Sequence, residues 1–453
     1  MALQQAIDEY HALLTDEVAG ESQAQLDDQL RRRGLFFGER PLCTVLRPRF
    51  LTPAQYAFLQ RQVHALLPAF DRCYQRARQD AAFRRQFRLL DWEETLFEHD
   101  PGFPDASPVS RLDAFFTHDR GGLRFTEYNA ETPAAAAYND VLGEVTYGLP
   151  IMRLFLERYE VRPQPARHLV MHALLASYRA WGGGRSPRIV ILDWREVPTY
   201  SEFVISAEYF RSQGLECVIA DPREVEYRGG VLYAGGMAVD LIYKRVLITE
   251  LIERGGMDHP VVRAVLDGAA CMVNPFRCKL LHKKASLAVL SDEANAGMFT
   301  EPEQAAIDAN IPWTRLLEER RTRLHGEDID LLPFVAEHRD RFVLKPNDEY
   351  GGTGIVLGWT VSAEEWHQAL ATAVAEPSIV QERITLPTEA YPSLVDGRVA
   401  LSERIIDTAP FAFHGAYMDG CLTRLSSDPL VNVTAGGGSS LATFVVAPRG
   451  GVL

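Results

Sequence analysis

The sequence predicts a mixed α/β (α+β) protein: a mainly helical N-terminal region, a small doubly wound domain and a second α/β domain. Three stretches carry this reading. The apolar run Phe342-Val343-Leu344 ends in Lys345-Pro346, and a turn holding Gly351, Gly352 and Gly354 leads into the returning run Ile355-Val356-Leu357. The run Arg188-Ile189-Val190-Ile191-Leu192-Asp193 has the continuous apolar character of a strand buried on both faces, and an amphipathic stretch and a second such run follow it. Arg111-Leu112-Asp113 and Glu127-Tyr128-Asn129 sit in two short alternating runs on either side of a glycine turn.

Size and composition bound the rest. The chain has 453 residues, 47% hydrophobic and 24% charged, which is the profile of a globular protein with ample material for a core. Its formal net charge of -14 opposes a general nucleic-acid or membrane-surface binder, both of which need a basic face. The runs Arg31-Arg32-Arg33 and Arg320-Arg321 have acidic neighbours and read as solvated helix faces. Six scattered cysteines without a C-x-x-C pair, no signal-like N-terminus and no long apolar run point to a reducing, cytoplasmic setting.

In chain order, residues 6–14 and 54–70 show helical spacing, the second opened by a Thr52 cap and Pro53. The hairpin around Asp119-Arg120-Gly121-Gly122 comes next, then helical stretches over residues 138–161 and 166–181, the latter closed by Gly182-Gly183-Gly184. Residues 188–193, 202–213 and 215–221 form a βαβ unit with no dinucleotide fingerprint at its first turn. A hairpin over residues 226–233 precedes a strand over residues 239–245, which ends in Lys244 and Arg245 and suits either an anionic substrate or solvent. A strand at residues 270–275 leads to one helix over residues 278–292 carrying Lys279, Lys283 and Lys284. After the glycine turn come a helix over residues 363–374, a strand over residues 378–384 and antiparallel strands over residues 401–406 and 410–418. A second glycine-rich loop, with Gly436, Gly437 and Gly438, precedes a closing apolar run.

The chemistry follows from side-chain spacing. Residues two apart on a strand share a face, so Arg111 pairs with Asp113 and Glu127 with Asn129. If those faces coincide, Asp113, Glu127 and Asn129 offer oxygen ligands to a hard cation such as Mg2+ beside nucleotide phosphates, with Arg111 next to the transferring group. The same alternation also suits the solvated face of a surface hairpin. Lys345 followed by glycines can lay backbone N–H groups over phosphates, although the order is not that of a P-loop, and a plain β-hairpin fits it too. Gln381 and Glu382 end a strand where a flat ring or sugar could lie. His118, His282, His325 and His414 lack metal or triad spacing and read as surface or packed residues.

Taken together, R-x-D, E-Y-N-A-E-T-P and F-V-L-K-P-x-x-x-x-G-G resemble the circularly permuted ATP-grasp ligases. They are most similar to the synthetase domain of glutathionylspermidine synthase and, more distantly, to eukaryotic glutathione synthetase. The resemblance spans about residues 105–440. Beyond the mainly helical region read from residue spacing at residues 1–104, it implies permuted metal-binding strands at 105–165, a Rossmann-like pre-ATP-grasp domain at 166–275 and an ATP-grasp domain at 276–453. It implies Mg2+ on Asp113, Glu127, Asn129 and Glu349. It places ATP on Lys284 (one register from Lys283), Lys345, Gly351, Gly352, Gln381, Glu382, Gly436 and Gly437. Catalytic arginines are implied at Arg111 and Arg424. The implied reaction joins a carboxylate to the amine of an amino acid, peptide or polyamine through an acyl phosphate. The glycine loop departs from that of the glutathionylspermidine enzymes, and no amidase segment with a catalytic cysteine is present, so that substrate pair is not implied. A nucleotide-binding scaffold without turnover and an ATP-dependent kinase are the other readings of these residues.

Overall fold

The computed structural model describes residues 3–117, 122–349, 351–429 and 438–450. Gly436 and Gly437, and most of the hairpin turn at Asp119-Arg120-Gly121-Gly122, lie outside them.

The doubly wound unit forms as expected. Strands Glu216–Ala220, Arg188–Leu192, Leu241–Lys244 and Cys271–Val273 lie parallel, in that order across the sheet. Their alternating side chains feed two cores. Ile189, Ile191, Leu241 and Tyr243 pack with Met171, Phe203 and Phe210 on one face, while Val190, Leu192, Ile242 and Met272 pack with Leu251, Val261 and Val265 on the other. Both faces are covered, which is why these strands read as unbroken apolar runs. The hairpin at Val225–Arg228 and Val231–Ala234 turns on Gly229 and Gly230, both with positive φ (60 and 75°).

A nine-stranded sheet dominates the rest. Its main path runs Thr388–Val395, Arg398–Ile406, Tyr417–Ser426, Ala409–Phe413, Val109–Thr117, Gly122–Asn129. The last described strand, Ser439–Pro448, pairs with Tyr417–Ser426 and also with Arg49–Leu51 and Tyr159–Pro163. The expected strand over residues 410–418 is in fact two strands, because His414 and Gly415 turn the chain at positive φ (54 and 59°). A separate antiparallel sheet has the order Thr314–Leu316, Ser378–Glu382, Phe342–Pro346, Val356–Leu357. Trp366 and Leu370 of the helix Ala363–Ala375 pack on it, against Phe342, Leu344 and Val380.

The helix Pro53–Gln79 has the expected Thr52 cap, completed by Gln55, but runs past residue 70 and through Pro68. The single helix expected over residues 278–292 is two, Cys278–His282 and Ala285–Ser291, broken where Lys283 takes ψ 132°. The break sends Lys283 and Lys284 to different partners. The lysines of this segment are not solvated: Lys279, Lys283 and Lys284 are all buried, as are Lys244 and Arg245.

Asn274 stitches the parallel sheet to the hairpin. Its Oδ1 accepts the Val109 N–H at 3.1 Å, and its Nδ2 lies 2.6, 2.9 and 3.0 Å from the carbonyls of Val109, Ala130 and Glu131. Asn274→Ala takes one partner from each of these buried groups, although Ser107 Oγ still donates to the Val109 and Ala130 carbonyls, and is expected to cost about 2–3 kcal/mol in urea denaturation. A loss under about 0.5 kcal/mol would show that other groups hold the hairpin end.

Candidate active site

Val109–Thr117 and Gly122–Asn129 pair antiparallel with Asp113 opposite Glu127 and Arg111 opposite Asn129. Opposed residues share a face, so the four side chains converge. Arg111 grips Asp113 through Nε at 2.7 Å and a second nitrogen at 3.0 Å, Asn129 Nδ2 donates to Asp113 at 3.0 Å, and Arg424 adds a contact at 2.7 Å. Burial alone would push the Asp113 carboxyl up, but Arg111 and Arg424 outweigh it and hold it well below the usual range. Arg424 is also bound by Asp407, a buried carboxylate that the sequence reading missed. Burial would lower the Arg424 pKa, yet Asp113 and Asp407 raise it.

The other wall comes from the smaller antiparallel sheet and the broken helix. Lys345 ends its strand buried, donating to Thr126 O at 3.0 Å and Gln381 Oε1 at 2.7 Å. Gln381 Nε2 is held by Thr314 Oγ1 at 3.0 Å. Burial brings the Lys345 ammonium down to about 8, against the pull of Glu127. Lys284 Nζ stands 3.3 Å from Glu127 and donates to the backbone carbonyl of Glu349. Burial would raise Glu127, but Lys284 and Lys345 together outweigh it and lower it. Asn347 fixes this arrangement: its carbonyl accepts Lys284 N–H at 2.9 Å, its Oδ1 accepts Ala285 N–H at 2.8 Å, and its Nδ2 donates to Phe87 O at 3.0 Å.

One cleft collects these groups. It is lined by Arg111, Asp113, Glu127, Asn129, Lys284 and Lys345, and also by Gly351, Gly352, Gln381, Glu382 and Arg424. Its apolar end is formed by Val343, Ile355, Trp359, Ile384 and Leu386, of which Trp359, Ile384 and Leu386 gave no sequence signal of their own. Arg383 lies 4.2 Å over the Trp359 ring. Glu382 is gripped by His325 at 2.9 Å and Arg341 at 3.3 Å, so its carboxylate enters the cleft already paired. Glu349 is not brought in: its side chain is exposed and only its carbonyl reaches Lys284.

Lys283 turns away. It pairs with Glu93 at 2.7 Å and Asp348 at 3.0 Å, inside a buried network where Lys279 meets Asp348 at 2.7 Å and Glu131 at 3.2 Å. Lys244 meets the other Glu131 oxygen at 3.3 Å. Glu131 therefore serves two lysines and also accepts the Ile248 N–H at 2.6 Å. Burial would raise its carboxyl, but Lys279 and Lys244 hold it far below the usual range.

A glutathione synthetase-like effector from Globodera pallida, in its apo form, superposes with a TM-score of 0.58 over 95% of this chain and 98% of its own, at 12% identity. The two chains share a fold. A D-alanyl-alanine synthetase A from Vibrio cholerae aligns over 57% of this chain and 74% of its own, with a TM-score of 0.29 and 9% identity, too little to support an argument. No protein-family model and no curated protein matches the sequence. No helix among the described residues is long and apolar enough to cross a membrane.

Proposed function

We propose that the protein is an ATP-dependent carboxylate–amine ligase of the circularly permuted ATP-grasp type. One observation carries the reading: an Arg/Asp/Glu/Asn cluster from one sheet and two buried lysines from another structural unit face each other across a cleft with an apolar end. The fold shared with the glutathione synthetase-like effector supports it.

In this reading the adenine lies against Val343, Ile355, Trp359, Ile384 and Leu386, and Lys284 and Lys345 take the phosphates. Arg111 and Arg424 neutralise the transferring phosphoryl group. A substrate carboxylate oxygen attacks the γ-phosphorus and ADP leaves. The amine then attacks the acyl carbon and phosphate leaves. The chain's task is to position and to neutralise charge, with no covalent nucleophile of its own.

The donor set fits Mg2+. Among the described residues no cluster of three or more Asp, Glu, His or Cys side chains forms a cage. Mg2+ does not require one, since it uses one or two carboxylates completed by phosphate oxygens and water. Glu127 and Asn129 would hold it with Asp113, once phosphates take over part of the arginine contacts to Asp113. When bound, the ion offsets phosphate charge and helps to orient the phosphates.

ADP release with a panel of carboxylates, with and without amines, tests the reading, with mass spectrometry to detect the amide. Release that needs both substrates and yields an amide is expected. Release without an amine would identify a kinase, and no release from any pair would leave a binding scaffold.

A further inference from the structure

A second chamber opens off the cleft. Its volume is about 390 Å3, towards the low end of the roughly 300–1,000 Å3 range of small-molecule sites. Arg111, Asn129, Gly351 and Arg424 line both spaces, so the two meet at the polar end of the cleft and not at its apolar end. Phe37, Leu42, Val197, Pro198, Leu247 and Leu422 give the chamber an apolar wall. Asp193 and Glu250 stand in it, from the end of the strand Arg188–Leu192 and from the helix Ile248–Gly255.

Several polar groups here have unused capacity. Asp193 is 8% exposed, and its Oδ1 accepts the Trp194 N–H at 2.8 Å, which leaves Oδ2 for a ligand. Arg245 Nε and His282 Nδ1 have no hydrogen-bond partner among the described residues, although both residues are buried (6% exposed each) and both line the chamber. Buried polar atoms are rarely left so without a ligand or water to meet them. Burial pushes the Asp193 carboxyl up to about 6 against the pull of Arg245, so that arginine does not fully compensate it. An ammonium group would. Burial also brings His282 down to about 4, so near neutral pH its ring is uncharged and Nδ1 can donate or accept according to tautomer.

From this arrangement we infer that the chamber holds the acid substrate, and that this substrate is a zwitterionic amino acid or dipeptide with an apolar side chain. Its carboxylate lies at the shared mouth beside Arg111 and Arg424, its ammonium at Asp193, and its side chain on the Leu42–Val197–Leu247 wall, with Glu250 held nearby by Trp194 Nε1 at 2.7 Å. A polyamine is disfavoured, because the arginines at the mouth repel it and the wall gives its further ammonium groups no carboxylates. A strongly polar peptide would lose hydration against that wall without replacement. The inference rests on the ligase reading for the role of the mouth, but not for the binding chemistry.

Calorimetry on the full chain tests it with L-leucine and L-alanyl-L-leucine against isocaproate, which lacks the ammonium, isoamylamine, which lacks the carboxylate, spermidine and glutathione. At least one of the two zwitterions is expected to bind tenfold or more tightly than every comparison compound. Asp193→Asn is expected to weaken that zwitterion at least tenfold and to change isocaproate binding less than twofold. Tighter binding of spermidine or glutathione, equal affinity for leucine and isocaproate, or binding of none of the probes would overturn the inference, and the wild-type comparison decides this even if the variant fails to fold. So would an Asp193→Asn loss that is the same for isocaproate. If the zwitterion binds as expected and no carboxylate–amine pair releases ADP, the chamber stands and the ligase reading falls.

Discussion

Lys345→Ala is expected to lower amine-dependent ADP release by about 10²–10³-fold, the usual loss when one preorganised donor to a developing charge is removed. The melting temperature should stay close to that of the wild type. Lys345 is a buried cation without a direct carboxylate partner among the described residues: it donates to Thr126 O and Gln381 Oε1, and burial has already drawn its pKa down to about 8. Removing it leaves two acceptors short of a donor but also relieves the cost of burying a charge, and these effects oppose each other. A lysine so placed contributes little to the unliganded fold and much to a bound polyphosphate. Asp113→Asn should also abolish turnover, because the carboxylate orients Arg111 and Arg424 together. Undiminished ADP release by both variants would remove the assignment of the cleft, and a collapse of the Lys345→Ala melting temperature would make the lysine structural.

The largest effect on stability is expected from Glu131→Ala. Glu131 is fully buried, with Lys244 on one oxygen and Lys279 on the other. Its removal leaves Lys244 without a carboxylate among the described residues, Lys279 resting mainly on Asp348 and the Ile248 N–H unmet, a loss of about 3–5 kcal/mol by urea denaturation. The pH dependence is distinctive. The Glu131 carboxyl titrates well below its unfolded value, so its contribution is fully present above about pH 4.5 and falls away as the pH drops towards the folded pKa. The wild type should therefore lose stability more steeply than the variant on acidification below about pH 4.5. Equal slopes, or a loss under about 1 kcal/mol, would show that Lys244 and Lys279 are held by other groups.

The sequence made one half of the cleft legible because strand alternation is a strict rule. Arg111 and Asp113, and Glu127 and Asn129, could share a face only if the hairpin closed in one register, and it does. Lys345 and Gln381 were readable for a similar reason, as polar residues at the ends of apolar strands. The broken helix was not readable. Cys278–His282 and Ala285–Ser291 have no proline or glycine between them, and the break is stabilised by partners distant in sequence: Asn347 on the backbone, Glu93 and Asp348 on Lys283. Each lysine of that segment is matched by a carboxylate that no local window contains: Glu131 and Asp348 for Lys279, Glu93 for Lys283 and Glu127 for Lys284. Asp407 and Trp359 were silent for the same reason, since only the folded chain puts them beside Arg424 and the apolar end of the cleft. The second chamber draws its walls from segments as distant as Phe37 and Leu422, and no spacing rule joins those.

The ion network around Glu131 also bears on how the molecule can be taken apart. Glu93 comes from the helical region, Glu131 from the end of the hairpin, Lys244 from the parallel sheet, Lys279 and Lys283 from the broken helix, and Asp348 from the glycine loop. Each segment brings a charge that only the others neutralise. A fragment cut between any two of them inherits bare charges in what should be its interior, and two such fragments would have to find each other before either had a finished core. The protein is thus poorly suited to being split or grafted piecewise, and a change to its substrate preference is better sought in the chamber walls than by exchanging whole segments.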